Sequence, residues 1–292
     1  MRSHPMDEIP VRPLRFEFGS LGGRDPLWSQ SSPDFAMFIN ALGVHVPHFE
    51  RFLVKVMRAH RDELKDKHLL DDVQAIIGQE SHHAFNFVNW TRELAARYPD
   101  IEAIDSAASH YFDDAFRRRG RKFQIGFTAG YETFTFLGGM IILNRYRELM
   151  ENADPVLRAL WLWHQVEEVE HGAVAFDFYQ AFYGRHEWYR RYMVVYAFCH
   201  IARETFLAFR PMVKGERLRG WRKFQAWRFF LTFAFDLAWA ALPVLSRGYH
   251  PRNHPICNDN QNAIAVAWRN YHAAGHDTHS LTQADMADIE AL

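Results

Sequence analysis

The pattern Glu-x-x-His occurs twice in this chain, as Glu80-Ser81-His82-His83 and as Glu168-Val169-Glu170-His171. Residues three apart share one face of an α-helix, so each copy aims a carboxylate and an imidazole in one direction. A single Glu-x-x-His is common and usually marks a solvated surface pair. Here the surroundings are apolar: Ala75-Ile76-Ile77 precedes the first copy, and Ala173-Val174-Ala175-Phe176 follows the second. Buried carboxylates without a cation are too costly to keep. The repeated pattern therefore asks for long helices facing one another across a shared, charged interior.

The rest of the chain supplies such helices. Ser32-Pro33-Asp34 has the form of a helix start, and the pattern continues to about Asp62 with a break or kink at Pro47. Asp71-Asp72 opens a helix to about Arg97, closed by Pro99-Asp100, and a shorter one covers about Ile101–Arg118. After a basic, solvated turn at 117–122, a long helix is predicted from about Phe123 to Glu151. Gly130, Gly138 and Gly139 weaken it but allow close helix contact. Asp154-Pro155 starts the next, which is predicted to reach Phe182. Two more are predicted near Glu187–Phe209 and Trp221–Leu245, then a loop at Tyr249–Asn260 and a tail helical in pieces after Ala263. No strand alternation or internal repeat appears.

The two remaining long helices add Glu50 and Glu132, neither with a competing acid nearby. The order Glu50, Glu80-x-x-His83, Glu132, Glu168-x-x-His171, one element per helix, is the ligand set of ferritin-like dinuclear carboxylate proteins. In this reading Glu80 and Glu168 bridge two metals, and His83 and His171 terminate them. His164 lies four residues before Glu168 and seven before His171, on the same stripe, and adds a third imidazole. The expected ligands are thus Glu50, Glu80, His83, Glu132, His164, Glu168 and His171. Glu167 is also within reach of His164 and His171, and His82 could replace His83 by a small rotation. The symmetry of the two motifs favours Glu168 and His83. Glu170 is expected to face away, as an outer or solvated group, and Pro47 disturbs the register at Glu50. The expected fold is all-α, a ferritin-like four-helix bundle with additional helices. It forms one domain over 1–292, with an arm at 1–30, the bundle at 31–183, packing helices at 187–245 and a loop and tail at 246–292.

Composition narrows the function classes. A net charge of −1 argues against nucleic acid or a strongly acidic partner. The two cysteines, Cys199 and Cys257, lie far apart, which points to a reducing compartment. Met1–Asp7 lacks the apolar run of an export signal, so a cytoplasmic setting is expected. Seventeen histidines and 25 phenylalanines suit a metal site enclosed by apolar rings. Phe85, Trp90, Tyr131, Trp161 and Trp163 could line a substrate pocket, although plain core is the commoner role of such residues. Tyr131, one residue from Glu132, is expected to point elsewhere on its helix. Phe229–Ser246 is borderline in length for a bilayer span, and Asp236 and Pro243 count against one. With Arg219, Arg222, Lys223 and Arg228 before it, Phe229–Leu245 is read as packing over the bundle or forming a homodimer face, with peripheral membrane contact as the alternative. It could also wall an entrance for an apolar substrate. His250 and His254 are read as ordinary loop histidines.

At these residues the sequence resembles two groups. The whole chain is similar to a bacterial family of predicted metal-dependent hydrolases. The similarity lies in Gly78-Gln79-Glu80-x-x-His83, in Glu167-Glu168-x-Glu170-His171 with Val174-Ala175-Phe176-Asp177, and in the less specific Tyr249-His250-Pro251. About residues 45–175 resemble the ferritin-like arylamine N-oxygenases in ligand order, including His164-x-x-x-Glu168-x-x-His171. Gln79 departs from them, since those enzymes tend to have Asp there. The first resemblance implies hydrolysis by a metal-bound water. The second implies dioxygen activation at two irons, with an unidentified electron donor. Carboxylates with imidazoles suit iron or manganese, so the expected cofactors are two irons, with manganese or a mixed pair as the other fits, and dioxygen as co-substrate. The expected function is an oxidase or oxygenase acting on a small organic substrate, apolar or an amine. A metal-dependent hydrolase is the runner-up, and an iron-handling or peroxide-consuming protein the third reading.

Overall fold

The computed structural model describes residues 4–257 and 262–291, so part of the leader reading at Met1–Asp7 and of the loop reading at Tyr249–Asn260 lies outside the described residues. Those described are helical or irregular, with one isolated bridge between Ser29 and Ala153 and no strand among them. The α-helices in order are α1 Pro33–Gly43, α2 Val46–His60, α3 Lys67–Arg97, α4 Asp100–Arg118, α5 Arg121–Asn144, α6 Tyr146–Met150, α7 Pro155–Glu170, α8 Val174–Tyr183, α9 Glu187–Gly215, α10 Gly220–Ala240, α11 Ala263–Ala273 and α12 Gln283–Ala291. The all-α expectation holds.

Local chemistry explains the boundaries that differ from the sequence reading. Helix α3 starts at Lys67 rather than at Asp71, because the Asp66 side chain accepts from the His68 and Leu69 N–H groups and caps it. The predicted run from Phe123 to Glu151 stops at Asn144, where Arg145 leaves helical geometry (φ −104°, ψ 19°) before the short α6. The predicted run to Phe182 breaks at His171 (φ −95°, ψ 5°) and resumes at Val174. Asp154 caps α7 as expected, accepting from Val156 and Leu157 N–H at 2.9 and 3.1 Å. Helix α9 runs beyond Phe209 to Gly215, with Pro211 near its end.

In the assembled molecule α2 packs along α3, α5 lies against α7 and α9, and α10 rests on α1, α5 and α9. The segment before α1 is more than an arm. It buries Met6, Leu14, Phe16, Phe18 and Trp28 in the core and runs across α3. A side chain on Gly78 would strike Val11, whose Cγ2 lies 2.8 Å from the Cβ it would carry. Gly139 allows the other close approach that matters. A Cβ there would stand 3.2 Å from the Gln165 carbonyl and 3.4 Å from Glu168 Cβ, so α5 and α7 touch beside a predicted ligand. Residues Gly220–Leu245 are long and apolar enough to cross a membrane by length and composition, and most of that apolar stretch is not buried.

Candidate metal centre

The seven expected ligands converge. Glu50 comes from α2, Glu80 and His83 from α3, Glu132 from α5, and His164 and Glu168 from α7, with His171 one residue beyond its end. All are buried. They form two groups, Glu50–His83–His164–Glu168 and Glu80–Glu132–Glu168–His171, each with ligand atoms within 4.8 Å of one another. In the first, His164 Nε2 lies 3.3 Å from Glu50 Oε1 and 3.0 Å from Glu168 Oε1, and His83 Nδ1 lies 3.5 Å from that same Glu168 oxygen. In the second, His171 Nε2 lies 3.1 Å from Glu80 Oε1, 3.3 Å from Glu132 Oε2 and 3.2 Å from Glu168 Oε2. Glu168 thus turns one oxygen to each group. Glu80, expected to bridge as well, belongs to the second group, its other oxygen 3.7 Å from His83 Nδ1. The break after α7 places His171 here, where the chain turns out of the helix.

The donor set fits cations. Both oxygens of Glu80 and of Glu132, one each of Glu50 and Glu168, and His83 Nδ1 are buried with no hydrogen-bond partner. Buried polar atoms are normally satisfied, and an unpartnered carboxylate in a dry interior is strongly unfavourable. Four carboxylates beside three neutral imidazoles balance two divalent ions.

The buried site favours the protonated form of two of these carboxyls and not of the others. Burial pushes Glu50 up to about 7 and Glu132 up to about 8. Burial acts on Glu168 in the same direction, yet the charges and hydrogen bonds of His164 and His171 hold it well below the ordinary carboxylate value. Burial would lower His83 and His171, but the surrounding carboxylates raise both well above the usual imidazole value.

Residues outside the ligand set fix the imidazoles. His83 Nε2 is 3.0 Å from Glu167 Oε2, which leaves Nδ1 facing the carboxylates. His171 Nδ1 donates to Gln79 Oε1 at 2.8 Å, which leaves Nε2 facing them. The Gln79 amide is itself oriented, since its nitrogen donates to Pro10 O at 3.0 Å and Glu170 Oε2 at 3.3 Å. Arg12 completes the set, donating to Glu167 at 3.0 Å and to both oxygens of Glu170. The Gln165 amide meets His164 Nδ1 at 3.0 Å. Such outer partners set which nitrogen is free to bind metal. Glu167, the alternative to Glu168, lies in neither ligand group, and Glu170 takes the outer place expected of it rather than a solvated one. Both are buried supports, and neither faces solvent. Arg12 carried no signal, because its segment has no period. His82 is only partly buried and belongs to neither group.

Rings pack around the site. Trp163 meets His83 edge-on at 4.8 Å, and Phe87 meets His164 at 4.6 Å. A cavity of about 40 Å³ ends at His164 and Gln165, lined by Leu42, Tyr131, Phe134, Ile142, Trp161, Phe233 and Leu237. Tyr131 and Trp161 therefore line a pocket. Trp90 is core, donating to Asn40, and Phe85 is exposed under Arg15. Tyr131 points away from the carboxylates, toward His45. His254 donates to Ala240 O at 2.9 Å and His250 pairs with Asp177 at 3.0 Å, as ordinary structural histidines.

That last contact joins two segments far apart in sequence, Val174–Asp177 and Tyr249–Pro251. No curated protein and no solved structure matches the chain. One family model does, over residues 10–255, a span that holds all seven converging residues, Arg12 and the Asp177–His250 contact. The chain belongs to the family described as predicted metal-dependent hydrolases.

Proposed function

We propose that this metal-dependent family member holds two first-row cations on Glu50, Glu80, His83, Glu132, His164, Glu168 and His171, and oxidises a small apolar substrate with dioxygen. The observation that carries the reading is the division of Glu168 between two buried four-residue groups. Carboxylates with imidazoles and no thiolate suit iron or manganese. The ligand order is that of ferritin-like dinuclear proteins. Two irons in these positions would supply dioxygen activation, with electrons from an external donor.

The chain's own residues do the rest. Glu168 sets the spacing of the two positions. Glu167 and Gln79 hold His83 and His171 with one nitrogen bare. Trp163, Phe87 and Trp161 keep water from the imidazoles. The cavity beside His164 offers room for a small apolar group, since one water needs only about 10–15 Å³ of such space. A cavity of this kind counts against a protein that merely handles iron.

Hydrolysis is the second reading, and the family description favours it over oxidation. It asks the same ligands to hold a redox-inert ion such as zinc and to admit water along the cavity. Metal analysis of freshly purified protein, followed by anaerobic reduction and rapid mixing with dioxygen, separates the two. About two irons per chain and a transient visible band are expected. Zinc at the site, or iron indifferent to dioxygen, would hand the site to hydrolysis.

A further inference from the structure

Helix α10 has two apolar faces. Ala226, Phe230, Phe233 and Leu237 are buried against the rest of the protein. Trp221, Phe224, Leu231, Phe235 and Trp239 are exposed by 68%, 52%, 64%, 64% and 67%, and Leu242 just beyond them by 51%. At 3.6 residues per turn these six fall within about 80° of one another, opposite the buried face. Water-facing surface of this kind marks an interaction site.

The charge around the stripe says what covers it. Residues 210–228 hold Arg210, Lys214, Arg217, Arg219, Arg222, Lys223 and Arg228, all exposed, and one acid, Glu216. Glu216 is engaged by Arg97 and Tyr98. Arg222 already meets Asp34 at 3.2 Å. The stripe itself contains no acidic residue, so a second copy of the same face offers the other cations no counter-charge. Anionic headgroups do. Trp221 and Trp239 stand at either end of the stripe, and indole rings favour the boundary between headgroups and acyl chains. A bilayer-spanning role fits poorly. The inner face is packed on Phe38 and Phe209, and Asp236 is paired with Arg145 at 3.1 Å.

We propose that the exposed face of α10 seats the protein on an anionic lipid surface, its aromatic stripe in the headgroup boundary and the basic residues 210–228 against the phosphates. The inference does not depend on the metal chemistry.

Co-sedimentation of the full chain with phosphatidylcholine vesicles, with and without phosphatidylserine, tests it. Binding is expected with phosphatidylserine, weakening as salt rises. Arg219→Gln and Lys223→Gln should each lower it about fivefold. The triple change Leu231→Ser, Phe235→Ser, Trp239→Ser should abolish it while leaving the helical circular dichroism and thermal transition intact, since all three side chains face water. Equal binding to neutral vesicles, or binding unchanged in the triple variant, would overturn the proposal. So would a lipid-free dimer that the triple change disperses, with no vesicle binding by the parent. That result would give the face to a second copy.

Discussion

The guanidinium of Arg12 meets the carboxylate of Glu170 through two parallel hydrogen bonds of 2.8 and 2.9 Å, across 158 residues of sequence. The same guanidinium reaches Glu167 at 3.0 Å. Glu167 holds His83, and Glu170 holds Gln79, which holds His171. A closed ring therefore ties one imidazole of each ligand group to a single residue of the N-terminal segment.

Arg12→Ala leaves buried Glu167 facing Glu170, whose remaining guanidinium, that of Arg269, stands 3.7 Å away. Breaking a buried pair in this way costs about 3–5 kcal/mol, and loss of such outer support lowers metal affinity by about 10–100-fold. Arg12→Lys keeps the charge but not the fork, and should recover stability better than affinity. Urea unfolding and competitive metal titration read the two effects separately. Unchanged affinity in the Ala variant would make the ring purely structural.

Glu50 and Glu132 each belong to one ligand group only. Glu50→Gln and Glu132→Gln should each lower the metal content from about two ions to about one per chain, and Glu168→Gln should lose both. Mass spectrometry of metals in dialysed protein decides. Equal losses in all three variants would show that the two positions do not fill independently.

Stability of the chelated protein should fall as pH rises from about 6.5 to 8. Glu50 at about 7, Glu132 at about 8 and the raised His83 and His171 all bind more protons folded than unfolded in this window, so folding loses ground as protons leave. Below it, His45 and His200 act in the opposite direction, because burial holds both in the neutral form when folded, His200 at about 4. Metal loading should flatten the slope above 6.5, since ligands must shed their protons to bind. Thermal unfolding across pH, with and without metal, checks both parts.

Gly138 sits on the cavity wall, with only Leu237 Cδ2, at 3.9 Å, near the Cβ it would carry. Gly138→Phe should fill the cavity at a cost of about 1–3 kcal/mol. Metal content should stay whole while turnover of an apolar substrate falls on the order of tenfold or more. Parallel loss of metal would mean that the change had reached the ligands instead.

The convergence of the seven residues was legible because helical spacing is rigid. Once Glu80–His83 and Glu168–His171 lie on helices, their directions follow from 3.6 residues per turn. The symmetry of the two motifs, not spacing, favours Glu168 over Glu167 and His83 over His82, and both favoured residues fall in the two groups. The parts that sequence did not reveal depend on tertiary contacts. Arg12 lies in a segment without a period, and its role comes from where the segment crosses α3 and α7. The end of α5 is not announced by Gly or Pro near Arg145, and α7 ends at His171 beside Gly172, a stop signal weaker than the apolar run that continues to Phe182. The division of labour between Glu80 and Glu168 depends on rotamers, which spacing does not set.

The ring through Arg12 also orders events in time. Arg12 is made before its partners, and Glu167 and Glu170 follow some 150 positions later. Glu50, Glu80 and His83 leave the ribosome long before His171 does, and on their own they form neither complete ligand group. A growing chain therefore offers metal no finished binding place. Any metal uptake is expected to wait until the segment around Arg12 has folded back over α7, so that a filled site would report that both ends of this long closure have met.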